Sequence, residues 1–358
     1  MNNFNQYMLD KIKLREENDS LRKLSITSHL IDFSSNDYLG IAKKYQSGST
    51  GSRLISGNNQ QIVELEKKFS LLTSSEASLF FNSGYQANIG LIPAISNRNT
   101  TILYDELIHA SLRDGIRLSV SKSFSFKHNN LKDLSEKLSK NKGEVLIVVE
   151  AIYSMDGDSP DLLSLISIAK KHRAEIVVDE AHSFGVFGKK GLGMVNDLNL
   201  SNQIFATIFP LGKAVGSSGC FISGSQLLKD YLINFCRSFI YSTAPSRTII
   251  KEVNTQIDAV SLGDPRKKLF ELKKYFLDRY NNNFKIMSSD NSAIVSILFT
   301  NTNQLKHAEF KIQEAGLFVK AIMHPTVPKG LERLRICIHS FNTRNEMDLL
   351  LNTLNEIK

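Results

Sequence analysis

The sequence predicts an α/β protein: a large domain built on a mainly parallel sheet covered by helices, followed by a smaller α+β domain. Two observations carry this. Short apolar, β-rich runs alternate with amphipathic stretches over the first two thirds of the chain, and the pattern changes after about residue 245. Runs apolar throughout their length read as strands buried on both faces, as parallel sheets require. Strand-helix alternation then argues for a sheet with helices packed on it.

The strands expected in order are 78–81, 101–104, 145–149, 176–178 and 204–208. Between them, Ile62, Leu65, Phe69 and Leu72 share one helical face, and Ser159 before Pro160 reads as an N-cap and first-turn proline opening a helix through His172. Beyond residue 245 come a helical span through Tyr280, a strand at 293–298 and another at 334–338. The expected division is an N-terminal segment over 1–45, a large domain over 46–245 and a small domain over 246–358.

With 358 residues, 42% hydrophobic and 22% charged, the chain is long enough for two such cores. The polar N-terminus and the lack of a run near the ~18 apolar residues of a membrane span point to a cytoplasmic protein without a membrane segment. Cys220, Cys236 and Cys337 form no CxxC, so neither a disulfide framework nor a metal site is expected, and they read as buried thiols. The net charge of +8, from 44 basic and 36 acidic residues, suits an anionic small substrate as well as a nucleic acid.

Chemistry concentrates in a few segments. Lys213 stands in the glycine-dense stretch 211–219, about thirty residues after Asp179-Glu180-Ala181-His182. An amine in such a loop, downstream of a carboxylate ending an apolar run, gives a Schiff-base cofactor an anchor and a charged partner. Alone, Lys213 reads as an ordinary surface lysine, and Asp179 reads equally as a loop cap. Asn82-Ser83-Gly84-Tyr85 follows a strand and opens a helix, where N–H groups hold phosphates but where ordinary turns also occur. His109 and His182 are either cofactor contacts or hydrogen-bonded core histidines. A nucleic-acid-dependent ATPase would share the Asp-Glu-Ala-His string, yet no GxxxxGK[ST] loop accompanies it.

Together these segments resemble the α-oxoamine synthase family of pyridoxal-phosphate enzymes. The resemblance runs in order through residues 31–40, 48–54, 82–88, 109–111, 154–158, 179–182, 212–213 and 333–335. It implies the fold type I architecture of pyridoxal-phosphate transferases, with 46–245 as the cofactor-binding domain. Lys213 would anchor the cofactor and act as base, Asp179 would hold the ring nitrogen protonated, and His109 would stack on the ring. His182 and Ser154 would meet the ring's phenolic oxygen, and Gly84 and Tyr85 would place the phosphate. Arg335 and Asn36 would take the amino-acid carboxylate, with His109 beside the substrate, and Arg22 and Thr326 would meet the acyl chain.

The resemblance further implies amino-acid and acyl-CoA or acyl-carrier-protein substrates and a homodimer with shared sites. Residues 19–22 and 325–330 are most similar to the branch that joins L-alanine to a pimeloyl thioester; the alternatives are the branches using glycine or serine. A non-catalytic member would be expected to lose the lysine, which is present. Three departures stand out: Pro210 replaces a phosphate-binding threonine, Ile62 replaces a histidine, and 41–47 is short. With Pro210 there, the resemblance implies that the phosphate contact would come from other groups, with Ser242 or Thr243 of a partner subunit as the candidates.

Overall fold

The computed structural model describes residues 3–26, 32, 34–39, 41–45, 48–281 and 284–357. Of the entry motif expected over 31–40, Ile31, Phe33 and Gly40 lie outside the described residues, as do Gln46 and Ser47 of the short segment. A seven-stranded sheet forms the larger part. Its strands are β1 (Ala77–Phe81), β2 (Thr100–Asp105), β3 (Lys122–Phe126), β4 (Glu144–Glu150), β5 (Glu175–Asp179), β6 (Ala206–Pro210) and β7 (Cys220–Gly224). They lie in the order β1-β7-β6-β5-β4-β2-β3.

Only β7 runs against the rest: β2, β3, β4, β5 and β6 are mutually parallel, and β1 is antiparallel to β7. The C-terminal ends of β1, β2, β4, β5 and β6 therefore open on one edge, where sheets of this kind hold ligands. The central strands are apolar because both faces are covered. On one face, the helix Gly84–Ile95 gives Leu91, Ile92 and Ile95 to a cluster with Leu146, Val148 and Val177. On the other, Leu162, Leu165 and Ile166 pack on Ile147 and Val178.

The helix Gln60–Leu72 buries Ile62, Leu65 and Phe69, the face expected from its spacing, and Phe69 stacks on Phe221 at 3.9 Å between centroids. Ile62 is fully buried in this cluster, so a histidine's polar ring would be out of place there.

A second sheet follows, formed by β8 (Ile286–Met287), β9 (Ile294–Leu298), β10 (Lys320–Ile322) and β11 (Arg333–Cys337), all antiparallel in the order β10-β11-β9-β8. Its own core includes Phe276, Val295, Ile297, Leu334, Ile336 and Leu351. The helical span after 245 is two helices, Arg247–Val260 and Gly263–Arg279. The first packs Ile250, Val253 and Ile257 into the cluster of Phe69 and Phe221. The second core thus starts one helix later than residue 246, because the apolar face of 247–260 is complementary to the large sheet's flank.

Local corrections have local causes. The helix expected to open at Ser159 runs Leu162–Lys171, and its N-cap is Asp161, whose carboxylate accepts the Ser164 N–H at 3.0 Å. A charged acceptor at the helix start outcompetes the serine two residues earlier. The run expected at 204–208 forms β6 at 206–210. Cys220 and Cys236 are buried thiols, whereas Cys337 is only partly buried, since it shares the less covered face of β11 with Arg335, alternating with the buried Leu334 and Ile336.

Candidate active site

Each strand ending on the open edge delivers a different expected residue. Asp179 is the last residue of β5, 3% exposed. Its Oδ1 accepts the N–H of Ala181 at 2.9 Å and its Oδ2 accepts the side-chain amide of Asn88 at 3.1 Å. No salt bridge reaches it among the described residues. Burial raises its pKa, opposed first by the charge of Lys213 and then by the bond from Asn88. A buried carboxylate with hydrogen bonds but no cation is suited to a protonated ring nitrogen brought by a ligand.

Lys213 follows β6 in a turn closed by bonds from the N–H of Gly216 to its own carbonyl and from Leu211 N–H to Gly219, both 3.0 Å, and it is exposed. Its charge acts on Asp179, Glu150, His109 and His182. His182, after β5, is held well below its ordinary pKa by burial, then by the charges of Lys213, Arg335 and His109. It is a neutral ring.

His109 caps the helix Ala110–Leu118: Nδ1 accepts the Ser111 N–H at 3.2 Å and lies 2.7 Å from Ser111 Oγ. Burial lowers its pKa, an effect that Asp179 opposes and Lys213 reinforces. With Nδ1 as acceptor, the proton sits on Nε2. The backbone N–H of His109 donates to Glu150 Oε1 at 2.5 Å. Glu150 pairs across the ladder with Asp179, and its pKa is raised by burial and then by that neighbouring charge.

Gly84 begins the helix after β1, where Ser83 accepts the Gln86 N–H at 3.2 Å, and a Cβ on Gly84 would come within 2.9 Å of the Pro210 ring. Pro210 therefore fills the space beside the phosphate-type turn instead of offering it a hydroxyl. Tyr85 is half exposed and donates to Asp114 at 2.5 Å. Gln86 donates through its side chain to Ser242 Oγ, and Asn82 Nδ2 donates to the Thr243 carbonyl at 2.8 Å. Ser242 and Thr243 thus lie beside this turn in their own chain.

From the second sheet, Arg335 on β11 reaches Ser154, after β4: Nε donates to the Ser154 carbonyl at 2.6 Å and Nη1 to Cys337 Sγ at 3.0 Å. Other expected residues stand apart. Asn36 is exposed, its N–H bonded to the Thr50 carbonyl at 3.0 Å and its side chain to Tyr38. Arg22 is tied to Asn234 through its N–H and Nη1, both 2.8 Å. Thr326 is exposed in the turn after β10.

Glu180 is turned away from this group. It is fully buried and accepts the N–H groups of Met194 and Val195, so the Asp-Glu-Ala-His string here serves an internal loop. Residues without a sequence-assigned role are Asn88, Ser111 and Glu150. The signal for Asn88 was an amide one turn beyond Gly84, just before the apolar part of its helix. The fit to pyridoxal phosphate rests on the unpaired Asp179 carboxylate and the Gly84 turn.

The profile of the aminotransferase class I and II family matches residues 28–354. The chain belongs to this family. Within it, the chain is 34% identical over 342 residues to an 8-amino-7-oxononanoate synthase of Lysinibacillus sphaericus, covering 91% of this chain and 88% of that protein. A serine palmitoyltransferase structure with pyridoxal phosphate matches with a TM-score of 0.83 and 27% identity, over 88% of this chain and 80% of the other. The 8-amino-7-oxononanoate synthase structure from Francisella tularensis matches at 0.76 and 29% identity, over 91% of this chain and 97% of the other. Family membership accounts for the mainly parallel sheet covered by helices.

Proposed function

We propose that this protein is a pyridoxal-phosphate-dependent acyltransferase that condenses L-alanine with a pimeloyl thioester, releasing the thiol and CO2 and forming 8-amino-7-oxononanoate in biotin synthesis. The observation that carries this reading is the similarity to 8-amino-7-oxononanoate synthases over nine tenths of the chain. The convergence of Lys213, Asp179, His109, His182 and Arg335 on one edge supports it.

Bound pyridoxal phosphate supplies an aldehyde for an amine and a ring that draws off the electrons left at the amino acid's α-carbon. This chain's residues do the rest. Lys213 anchors the cofactor and then takes the α-proton on Nζ. Asp179 keeps a proton on the ring nitrogen, and the Asn88 and Ala181 donors hold its carboxylate in place. His109 covers one ring face, with His182 and Ser154 at the phenolic oxygen. The first turn after Ser83, at Gly84 and Tyr85, receives the phosphate. Arg335 offers its guanidinium to the amino-acid carboxylate, and Asn36, which stands apart from it in this structure, is the further group assigned to that carboxylate. Arg22 and Thr326 suit the polar end of a pimeloyl chain, which an all-apolar tunnel would reject.

The working form in this reading is a cytoplasmic homodimer. No helix among the described residues is long and apolar enough to cross a membrane. Tyr38, Leu39 and Tyr241 are each more than two thirds exposed, and burying such large side chains favours a second copy. In that pair Ser242 and Thr243, which bond to Gln86 and Asn82 of their own chain, would also have to reach the neighbour's phosphate.

A second reading, serine with a palmitoyl thioester, is favoured by the match to serine palmitoyltransferase. Measuring kcat/KM for alanine with pimeloyl-CoA, glycine with acetyl-CoA and serine with palmitoyl-CoA decides between them. A clear preference for either of the last two pairs overturns the substrate assignment.

A further inference from the structure

His128 lies in the loop after β3, outside the group around Lys213, and its side chain is 19% exposed. Nδ1 is 2.9 Å from Oδ1 of Asp105, and Nε2 is 2.8 Å from Oδ2 of Asp158. Carboxylates only accept, so bonding through both ring nitrogens requires a doubly protonated ring. Burial opposes that charge, but the bonds to the two aspartates prevail and hold the imidazole up at about 9. Tyr153 meets the ring edge-on at 4.5 Å, Asn129 donates to the same Asp158 oxygen at 2.7 Å, and the His128 N–H donates to Glu106 at 3.0 Å.

Each aspartate governs a different loop. Asp105 ends β2; its carboxylate accepts the N–H groups of Leu107 at 2.9 Å and Asn129 at 2.8 Å, fixing the turn that leads to His109. Asp158 closes the loop 153–158, whose carbonyls and amides bond across it from Tyr153 to Asp158 at 2.9 Å. The second sheet docks on that loop. Ser289 donates to the Gly157 carbonyl, Arg333 pairs with Asp156, and Arg335 donates to Ser154.

We propose that His128 is a positioning residue: bonded to both Asp105 and Asp158, it ties the turn carrying His109 to the loop that holds Arg335, and so fixes the carboxylate-binding arginine relative to the ring-face histidine. The inference rests on the amino-acid role given to Arg335 above. A neutral ring satisfies one aspartate and leaves the other without its donor, which frees one of the two loops. His128, Asp156 and Asp158 also offer ligand atoms within 4.8 Å of one another, as a metal site would. In this structure both His128 nitrogens are instead turned to aspartates, and Arg333 pairs with Asp156.

The test uses the cofactor-loaded enzyme with His128→Gln and, separately, Asp158→Asn, which keeps the shape of the aspartate. Either variant should raise KM for alanine about tenfold, the size of one charge-assisted hydrogen bond, while KM for the thioester and cofactor content stay unchanged. Amide exchange over 154–158 should quicken in both. A lower melting temperature with unchanged alanine KM and unchanged exchange overturns the proposal, leaving a purely structural role. Stabilisation by added zinc or magnesium that disappears in His128→Gln overturns it in favour of a metal site. If the wild type binds no amino acid, the functional reading falls, and amide exchange at 154–158 alone decides the coupling.

Discussion

The side-chain amide of Asn88 donates to Asp179 Oδ2 at 3.1 Å and, through the same nitrogen, to Ser111 Oγ at 2.8 Å. Ser111 in turn lies 2.7 Å from His109 Nδ1. One amide on the helix after β1 thereby links Asp179, at the end of β5, to His109, in the loop after β2.

Asn88→Ala should therefore weaken both functions at once. Losing a hydrogen bond to a buried carboxylate is worth about 1.5–3 kcal/mol, so α-proton exchange of alanine should fall roughly ten- to a hundredfold. Asp179→Asn, which removes the charge itself, should fall further. Exchange followed by NMR in both variants checks the order; Asn88→Ala at wild-type rate removes the link.

Lys213→Ala should abolish the visible absorbance of the cofactor-loaded protein. Borohydride reduction of the wild type followed by peptide mapping should mark Lys213, and a label on any other lysine shows the anchor to be misassigned.

His128 makes stability depend on alkaline pH. Its folded pKa of about 9 lies above the ordinary 6.5, so the stabilisation is fully present below about 6.5 and is lost as pH rises through about 9. Between pH values of about 6.5 and 9.5 the wild-type melting temperature should fall about 2 °C or more beyond that of His128→Gln. Parallel decline of the two proteins would show that the imidazolium contributes nothing to this slope.

Mixed dimers test the shared site. Combining Lys213→Ala chains with Ser242→Ala/Thr243→Ala chains should restore about half of the per-site activity if the hydroxyls act across the interface, because one site then keeps every group. Verified mixed dimers without recovery place Ser242 and Thr243 in their own chain's site, beside Gln86 and Asn82.

Much of this protein was legible in the chain itself. The strands β1, β2, β4 and β5 stand out because both of their faces are buried, which forces uninterrupted apolar runs. β3 and β7 did not stand out. The first, Lys122–Phe126, is an edge strand exposed over most of its length, and the second interposes an antiparallel strand whose place depends on pairing with β1 and β6. Lys213, Asp179, His109 and His182 could be singled out as candidates because they follow strand ends or stand in a glycine-rich turn, but their expected roles came from the family resemblance.

What only the tertiary structure decided are the relationships that span distant segments. Asn88 reads as one more polar residue until a helix and a strand set it 3.1 Å from Asp179, 91 positions away. His128 reads as a loop histidine until β2 and the loop after β4 bring two carboxylates to opposite nitrogens. Spacing along the chain fixes the period of each element, because that period comes from the backbone alone. Which buried polar groups must satisfy one another is fixed only when packing removes water from around them.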